Sequence, residues 1–244
     1  MSSGRPVEAL ARGIRILEVL SRASGPLTNG QIARATELPP STVSRLTDSL
    51  VQLGYLRFTS DQGAYRLTPK NLRLGYPVLA NTPLASRAQR VLDEMSSETG
   101  CTSALAVRDE LHVAFLATAR GRDLRSVPLA VGGRLPISMS AAGIALLAAM
   151  EEPQKSRLVR SIRSDLTARG HSVKDFEESL SVGRDLLVVN RGRWRSEIGG
   201  VAAPLRSGGE LYALTFAVRV EYLDDGGEDR LLTSMRAAVD RLSD

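Results

Sequence analysis

Residues 28–67 constrain the fold most tightly, because start and stop signals for two short helices and an alternating hairpin follow one another with few residues to spare. Thr28-Asn29-Gly30-Gln31 has the form of a capping box, in which the threonine hydroxyl and the glutamine side chain satisfy the first free amides of a helix. A short helix from Asn29 to Thr36 follows, and Glu37-Leu38-Pro39 turns the chain. Pro40 suits the first position of the next helix, where a missing N–H is harmless. Val43, Leu46, Leu50 and Leu53 recur at helical spacing and are expected on its buried face. Gly54 ends that helix. Leu56 and Phe58 then alternate with Arg57 and Thr59, Asp61-Gln62-Gly63 makes a turn, and Tyr65 and Leu67 resume around Arg66, which predicts a β-hairpin. Upstream, Val7, Leu10, Ile14, Leu17 and Leu20 mark an amphipathic helix expected to bury that stripe, broken by Ser24-Gly25-Pro26.

Two helices joined by a tight turn and followed by a hairpin make a winged helix-turn-helix, whose second helix can enter the major groove of DNA. The exposed face of that helix carries Ser41, Thr42, Ser44, Arg45 and Asp48. Small hydroxyls approach phosphates and base edges closely, and a guanidinium binds phosphate or guanine in bidentate fashion. Thr28 and Asn29 at the preceding helix start, and Arg57 and Arg66 on the hairpin, complete the candidate DNA-contacting set. Charge agrees with this placement: residues 1–70 hold nine Lys/Arg against five acids, and so carry +4 of the formal +5 of the chain. On spacing alone, a helix cap at Ser41 and Thr42 and a plain surface arginine at 45 remain open alternatives.

The length of 244 residues fits two domains. Residues 5–68 form the expected DNA-binding domain, 69–82 a linker helix, and 83–244 a second domain of mixed helices and strands, so the fold class expected is α+β. In the second domain, Thr82-Pro83 opens a helix to about Thr99 that Gly100 stops. Cys101–Val107 and His112–Ala117 are expected to pair as strands around Arg108-Asp109-Glu110. Helices are expected over Ser140–Met150, Pro153–Ile162 and Lys174–Asn190, strands over Ile198–Leu205 and Leu211–Val220, and a last helix over Glu228–Leu242.

Other function classes find little support. One cysteine, Cys101, forbids an intramolecular disulfide, and with only His112 and His171 no metal-ligand cluster or cofactor is expected. Cys101 with His112 would be the one conceivable nucleophile and base, but no third orienting motif accompanies them, and nucleophile-elbow, P-loop and dinucleotide fingerprints are absent. The N-terminal MSSGRPVEAL has no apolar signal core, and the longest apolar run, Ala141–Met150, is too short to span a bilayer. A cytoplasmic protein without membrane contact is expected.

The run Leu38-Pro39-Pro40-Ser41-Thr42-Val43-Ser44-Arg45-Leu46, preceded by Leu27-Thr28 and followed by Gly54-Tyr55, resembles the helix-turn-helix of the IclR family of transcriptional regulators. Val7–Ile14 is similar to the family's opening helix and Tyr65-Arg66-Leu67 to its entry into the linker. Gly133–Ala148 resembles the signature of the family's effector domain, and Gly192–Ile198 with Val201–Leu205 its late strand. Pro40 stands where the family usually has a basic residue, as does Ile144, and the loop Ser207–Glu210 is short.

The resemblance implies a GAF-like effector-binding domain, a dimer or tetramer, repression at a palindromic double-stranded operator, and a small organic acid as effector, with aromatic acids among the candidates. Family pattern puts pocket contacts at Gly200, Thr215 and Ala217, and Cys101, Ser103 and Trp194 are further expected lining residues. Independently, Ser140 precedes a helix that begins Ala141-Ala142-Gly143, so a carboxylate could reach exposed helix-start amides. Close packing of that helix on a sheet would demand the same small residues. The apolar linker residues Leu72, Leu74, Val78 and Leu79 are expected to serve pairing between copies.

Overall fold

A computed structural model describes residues 6–181, 183 and 186–243. They fall into two compact units, one up to Ala80 and one from Asn81 onward.

The first unit contains α1 (Glu8–Arg22), α2 (Asn29–Thr36), α3 (Pro40–Gln52) and a small antiparallel sheet of β1 (Leu27–Thr28), β2 (Leu56–Thr59) and β3 (Ala64–Leu67) in the order β1-β3-β2. The capping box forms as the sequence predicts: the Gln31 amide donates to Thr28 Oγ1, and the Thr28 amide donates to Gln31 Oε1 at 2.8 Å. Glu37 ends α2 in the left-handed region, at φ 56°, which tightens the turn into α3.

Ile16, Leu20, Ile32, Val43, Leu50 and Leu56 form the core. The expected stripe on α1 is only half right. Leu20 is buried, but Val7, Leu10 and Ile14 are 71%, 63% and 48% exposed, and Ile16 is fully buried in their place. The reason is geometric: the buried residues of α1 all lie in its C-terminal half, so its first two turns overhang the core. Leu53 is also exposed rather than buried, because α3 stops at Gln52 and Leu53 is its C-cap. A 3₁₀ turn (Pro69–Asn71) and α4 (Leu72–Ala80) follow, with Leu72, Leu74, Tyr76 and Val78 exposed.

The second unit is built on a six-stranded antiparallel sheet in the order β6-β5-β4-β9-β8-β7. Its strands are β4 (Thr102–Asp109), β5 (His112–Ala119), β6 (Arg134–Pro136), β7 (Val188–Arg195), β8 (Ile198–Ser207) and β9 (Glu210–Arg219). On one face α5 (Pro83–Thr99) packs beside α10 (Glu228–Leu242), which follows a single turn, α9 (Val220–Tyr222). On the other lies α6 (Ala141–Ala149), with Ile162 and Leu166 of α7 (Gln154–Ala168) and Phe176 of α8 (Val173–Ser179) closing the same core. Strand alternation decides which residues meet α6: Ala104, Ala106, Ala202 and Ala213 point to its side, and their small size lets an alanine-rich helix sit close. The α+β class is the one expected.

Among the boundaries that differ from expectation, three have a clear physical cause. The β4–β5 turn falls at Glu110-Leu111, one step later than expected, because Asp109 pairs with His112 and Glu110 takes the left-handed conformation. α7 runs past Ile162 to Ala168, since Leu166 continues its apolar face. The helix expected over Lys174–Asn190 is instead the short α8 followed by strand β7; Val182, Arg184 and Asp185 of that stretch lie outside the described residues. Phe176 and Leu180 carry a helical period, but Val188 and Val189 favour a strand and find a partner in β8. No helix among the described residues is long and apolar enough to cross a membrane.

Candidate DNA-binding face and effector cavity

In the first unit, α3 presents Ser41, Ser44, Arg45 and Asp48 on its exposed face, with Thr42 half-buried beside them. Arg45 makes no ion pair with a described residue, so its guanidinium is available. Asp48 accepts from Gln52 Nε2 at 3.0 Å. Thr28 serves as the α2 cap, its hydroxyl engaged on both sides by Gln31, whereas Asn29 reaches across to α3 and donates from Nδ2 to Ser44 Oγ at 2.8 Å. On the hairpin, Arg57 and Arg66 stand directly opposite each other in the β2–β3 ladder, both exposed. Like charges in that register destabilise a sheet by a few tenths to about 1 kcal/mol. Such a pair is what a polyanion would relieve.

In the second unit, the sequence candidates Ser140, Ala141, Ala142, Trp194, Gly200, Thr215 and Ala217 come together around one cavity. Ser140 caps α6, its Oγ accepting from the Gly143 amide at 3.1 Å. That leaves the amides of Ala141 and Ala142, like the first amides of any helix, without an intrahelical acceptor. A Cβ on Gly143 would lie 2.0 Å from the Ile137 carbonyl oxygen, and one on Gly200 would lie 2.7 Å from that of Phe216. Both glycines are therefore demanded by close backbone packing. Thr215 donates to the carbonyls of Val201 and Phe216, each at 3.2 Å. Trp194 is 38% exposed at the rim, with the Arg195 guanidinium stacked 4.5 Å from its ring centre.

The sequence missed half of this wall. Phe115, Leu135 and Met139 close it, and the segment after β5 crosses it with Val127 and Leu129, held by the Val127 amide on the Ala217 carbonyl at 3.1 Å. Asn190 is 5% exposed. Its Nδ2 donates to the Met139 carbonyl at 2.7 Å and its Oδ1 accepts from the Arg193 amide at 3.2 Å, which pins the turn that feeds α6. A polar residue ending the apolar run Leu186–Val189 was the available signal, hidden by the expected helix. Among the described residues, no ionisable side chain lines the cavity. The cavity has a volume of about 50 Å³. Roomier clefts exist; the one beside Arg206 and Glu151, which pair with each other at 3.1 Å, is lined largely by charged and polar side chains.

Cys101 and Ser103 do not line the cavity. Ser103 points to the opposite face of the sheet, where Oγ donates to the Leu92 carbonyl of α5 at 2.9 Å and meets Ser96 Oγ. Cys101 is fully buried, its Sγ near the Thr99 carbonyl at 3.6 Å. Burial above all pushes its thiol up, and burial with a hydrogen bond to Cys101 pushes the Tyr222 phenol up to about 12. The strand period explains the correction, since Thr102 and Ala104 take the cavity side of β4. The same hairpin separates Cys101 from His112: Asp109, the partner of His112, lies eight strand residues from Cys101, or roughly 26 Å at about 3.3 Å per residue. They cannot act as nucleophile and base.

Comparisons with known proteins place both units in one family. Residues 9–60 match the IclR helix-turn-helix domain, and residues 76–244 match the bacterial transcriptional regulator IclR C-terminal domain. The Pca regulon regulatory protein of Pseudomonas putida is 39% identical over 175 residues, covering 70% of this chain and 58% of its own length. Among solved structures, an IclR family transcriptional regulator from Brucella abortus is 28% identical with a TM-score of 0.73, covering 99% of this chain and 95% of that one. An IclR homologue from Microbacterium hydrocarbonoxydans, solved in complex with 4-hydroxybenzoate, shares the fold at 24% identity and a TM-score of 0.68, covering 96% and 99% of the two chains. With a domain match extending over more than half its length, this chain belongs to the IclR family of bacterial transcriptional regulators.

Proposed function

We propose that the chain is a cytoplasmic, ligand-responsive regulator that binds a palindromic operator through α3 and the β2–β3 wing, and senses a small organic acid in the cavity at the start of α6. One observation carries the ligand reading: Ala141 and Ala142, whose helix-start amides have no intrahelical acceptor, line a mainly apolar space whose polar members are Ser140, Asn190, Thr215 and Trp194 and which, among the described residues, has no ionisable side chain. Helix-start amides favour an anion, and the apolar remainder favours a hydrophobic body, so an aromatic or similarly compact carboxylate fits. A cavity that binds benzene measures on the order of 150 Å³, three times the space present here. A ring can therefore enter only if a wall yields, and the Val127–Leu129 segment and Trp194 are the parts nearest the surface. Coupling follows from that, because a ligand shifts an equilibrium only when it binds two arrangements unequally.

A thermal-shift comparison of 4-hydroxybenzoate, benzoate and benzamide tests the ligand reading. At a hundredfold excess over Kd, a ligand of the folded state stabilises by about 2.7 kcal/mol, or roughly 5–10 °C for a unit of this size. An acid is expected to produce such a shift and benzamide much less; equal shifts, or none from either acid, would contradict the helix-start carboxylate site. Two copies are needed to read two half-sites about 34 Å apart, and the exposed Leu10 and Ile14 of α1 and Leu72, Leu74 and Tyr76 of α4 supply apolar surface for pairing. Sedimentation at micromolar concentration should give a dimer or tetramer. A monomer that DNA leaves unchanged would count against this assembly.

A further inference from the structure

We infer that Asn29 sets the base specificity of the recognition helix without needing to touch DNA itself, by fixing Ser44 as a hydrogen-bond donor. The inference rests on α3 being that helix, and goes beyond it by giving one side chain a defined polarity.

A hydroxyl inside a helix usually returns its proton to the carbonyl four residues back. Beyond the first turn of each helix, Thr36 donates to Ile32, Thr47 to Val43 and Ser49 to Arg45, at 2.7, 2.9 and 3.0 Å. Ser44 differs from these three. It makes no such bond to Pro40, and instead its oxygen accepts from Asn29 Nδ2, fifteen residues earlier on the neighbouring helix, at 2.8 Å. A serine hydroxyl has one proton and two lone pairs. With a lone pair occupied from the protein side, the proton is left for the exposed side of α3, where Ser41, Arg45 and Asp48 also point.

The group so presented is a donor, and its counterpart in the major groove is an acceptor: guanine O6 or N7, adenine N7, or thymine O4. In water the Asn29–Ser44 bond is worth little, because both groups are accessible. At a DNA interface that excludes water, a pre-oriented donor gains strength and a misdirected one is left unsatisfied. Asn29 is thus a positioning residue and Ser44 the contact.

Selection from a pool of randomised duplexes, followed by sequencing, tests this with the full-length protein and needs no known operator. The native chain should enrich sequences with an acceptor-bearing base at one position in each half-site. Ser44→Ala should lose that preference by about five- to tenfold, Asn29→Ala should lose it at the same position by a similar factor, and the double variant should lose no more than either. Asn29→Asp carries a further signature: the carboxylate can only accept, so it draws the Ser44 proton inward and turns the lone pairs outward. Preference at that one position should then move toward a base offering a donor, adenine N6 or cytosine N4.

A merely structural role for Asn29 predicts something different, a lowered melting temperature with base preferences unchanged. The inference is overturned if Asn29→Ala keeps the preference that Ser44→Ala loses, or if both weaken all sequences equally, as a phosphate contact would. Should Asn29→Ala fail to fold, Asn29→Asp read against Ser44→Ala decides the matter by the direction of its preference. If the native chain enriches no sequence at all, the assignment of α3 itself fails, which is a separate result from a failure confined to Asn29.

Discussion

Gly143→Ala is expected to destabilise the C-terminal unit by about 3 kcal/mol or more and to abolish ligand binding. An added Cβ would stand 2.0 Å from the Ile137 carbonyl oxygen and 2.6 Å from its carbonyl carbon, contacts that no rotamer can relieve because both partners are backbone. Overpacking typically costs 1–3 kcal/mol even where side chains can move. Relief requires the start of α6 to lift off the 3₁₀ turn over Ile137–Met139, which displaces the amides of Ala141 and Ala142 that the proposed carboxylate needs. For a unit of this size the melting temperature should fall by roughly 6–12 °C. The same exchange at Gly13, inside α1 with nothing beyond its own stretch of helix within 4 Å of the added carbon, should instead be neutral or stabilising by up to about 1 kcal/mol. Calorimetric melting of the two variants checks both signs, and a Gly143→Ala protein as stable as the native one would mean that the α6 start is not packed as described.

Arg45→Ala is expected to weaken DNA binding at least tenfold while leaving folding untouched. Arg45 is exposed and unpaired among the described residues, so its removal should change stability by less than about 0.5 kcal/mol. A bidentate arginine contact contributes roughly 1–3 kcal/mol of discrimination, and a symmetric site would lose two of them. Arg57→Ala separates base reading from phosphate binding. It removes the like-charge opposition with Arg66, so stability should hold or rise by a few tenths of a kcal/mol. Affinity should fall uniformly across sequences, with a shallower salt dependence. Filter binding at several salt concentrations distinguishes the two variants. Full affinity in Arg45→Ala would show that α3 is not the recognition helix.

The helix-turn-helix was legible because its signals are local. The Thr28–Gln31 box, the Glu37–Pro39 turn and Pro40 each act within four residues, and the fold honours all of them. The second unit was legible where strands alternate or turns carry glycine, as at Gly208-Gly209 between β8 and β9. It was not legible at β7, where a tertiary partner overrides a weak helical period, nor in the segment bearing Val127 and Leu129, which has no period at all. In the candidate site, residues adjoining the α6 start could be named because small residues at a helix start have a local reason. Asn190 could not, since its role is to hold Met139, 51 residues away in sequence. Cys101 and Ser103 were misplaced because choosing the face of a strand requires its register, and register comes only with the sheet.

Occupancy of the cavity at the start of α6 is expected to change affinity for DNA. The most direct measurement is the Kd for a selected duplex titrated with 4-hydroxybenzoate, or with whichever acid stabilises the protein, for the native chain and for Ala142→Leu. Ala142 is 2% exposed at the cavity wall, so leucine would fill the space the ligand needs, and the substitution lies in a different unit from α3. The native Kd should shift at least fivefold across the titration, while Ala142→Leu binds the duplex normally and shows no shift. A native Kd that stays constant while the acid is bound, or an Ala142→Leu protein that responds like the native one, would contradict that expectation.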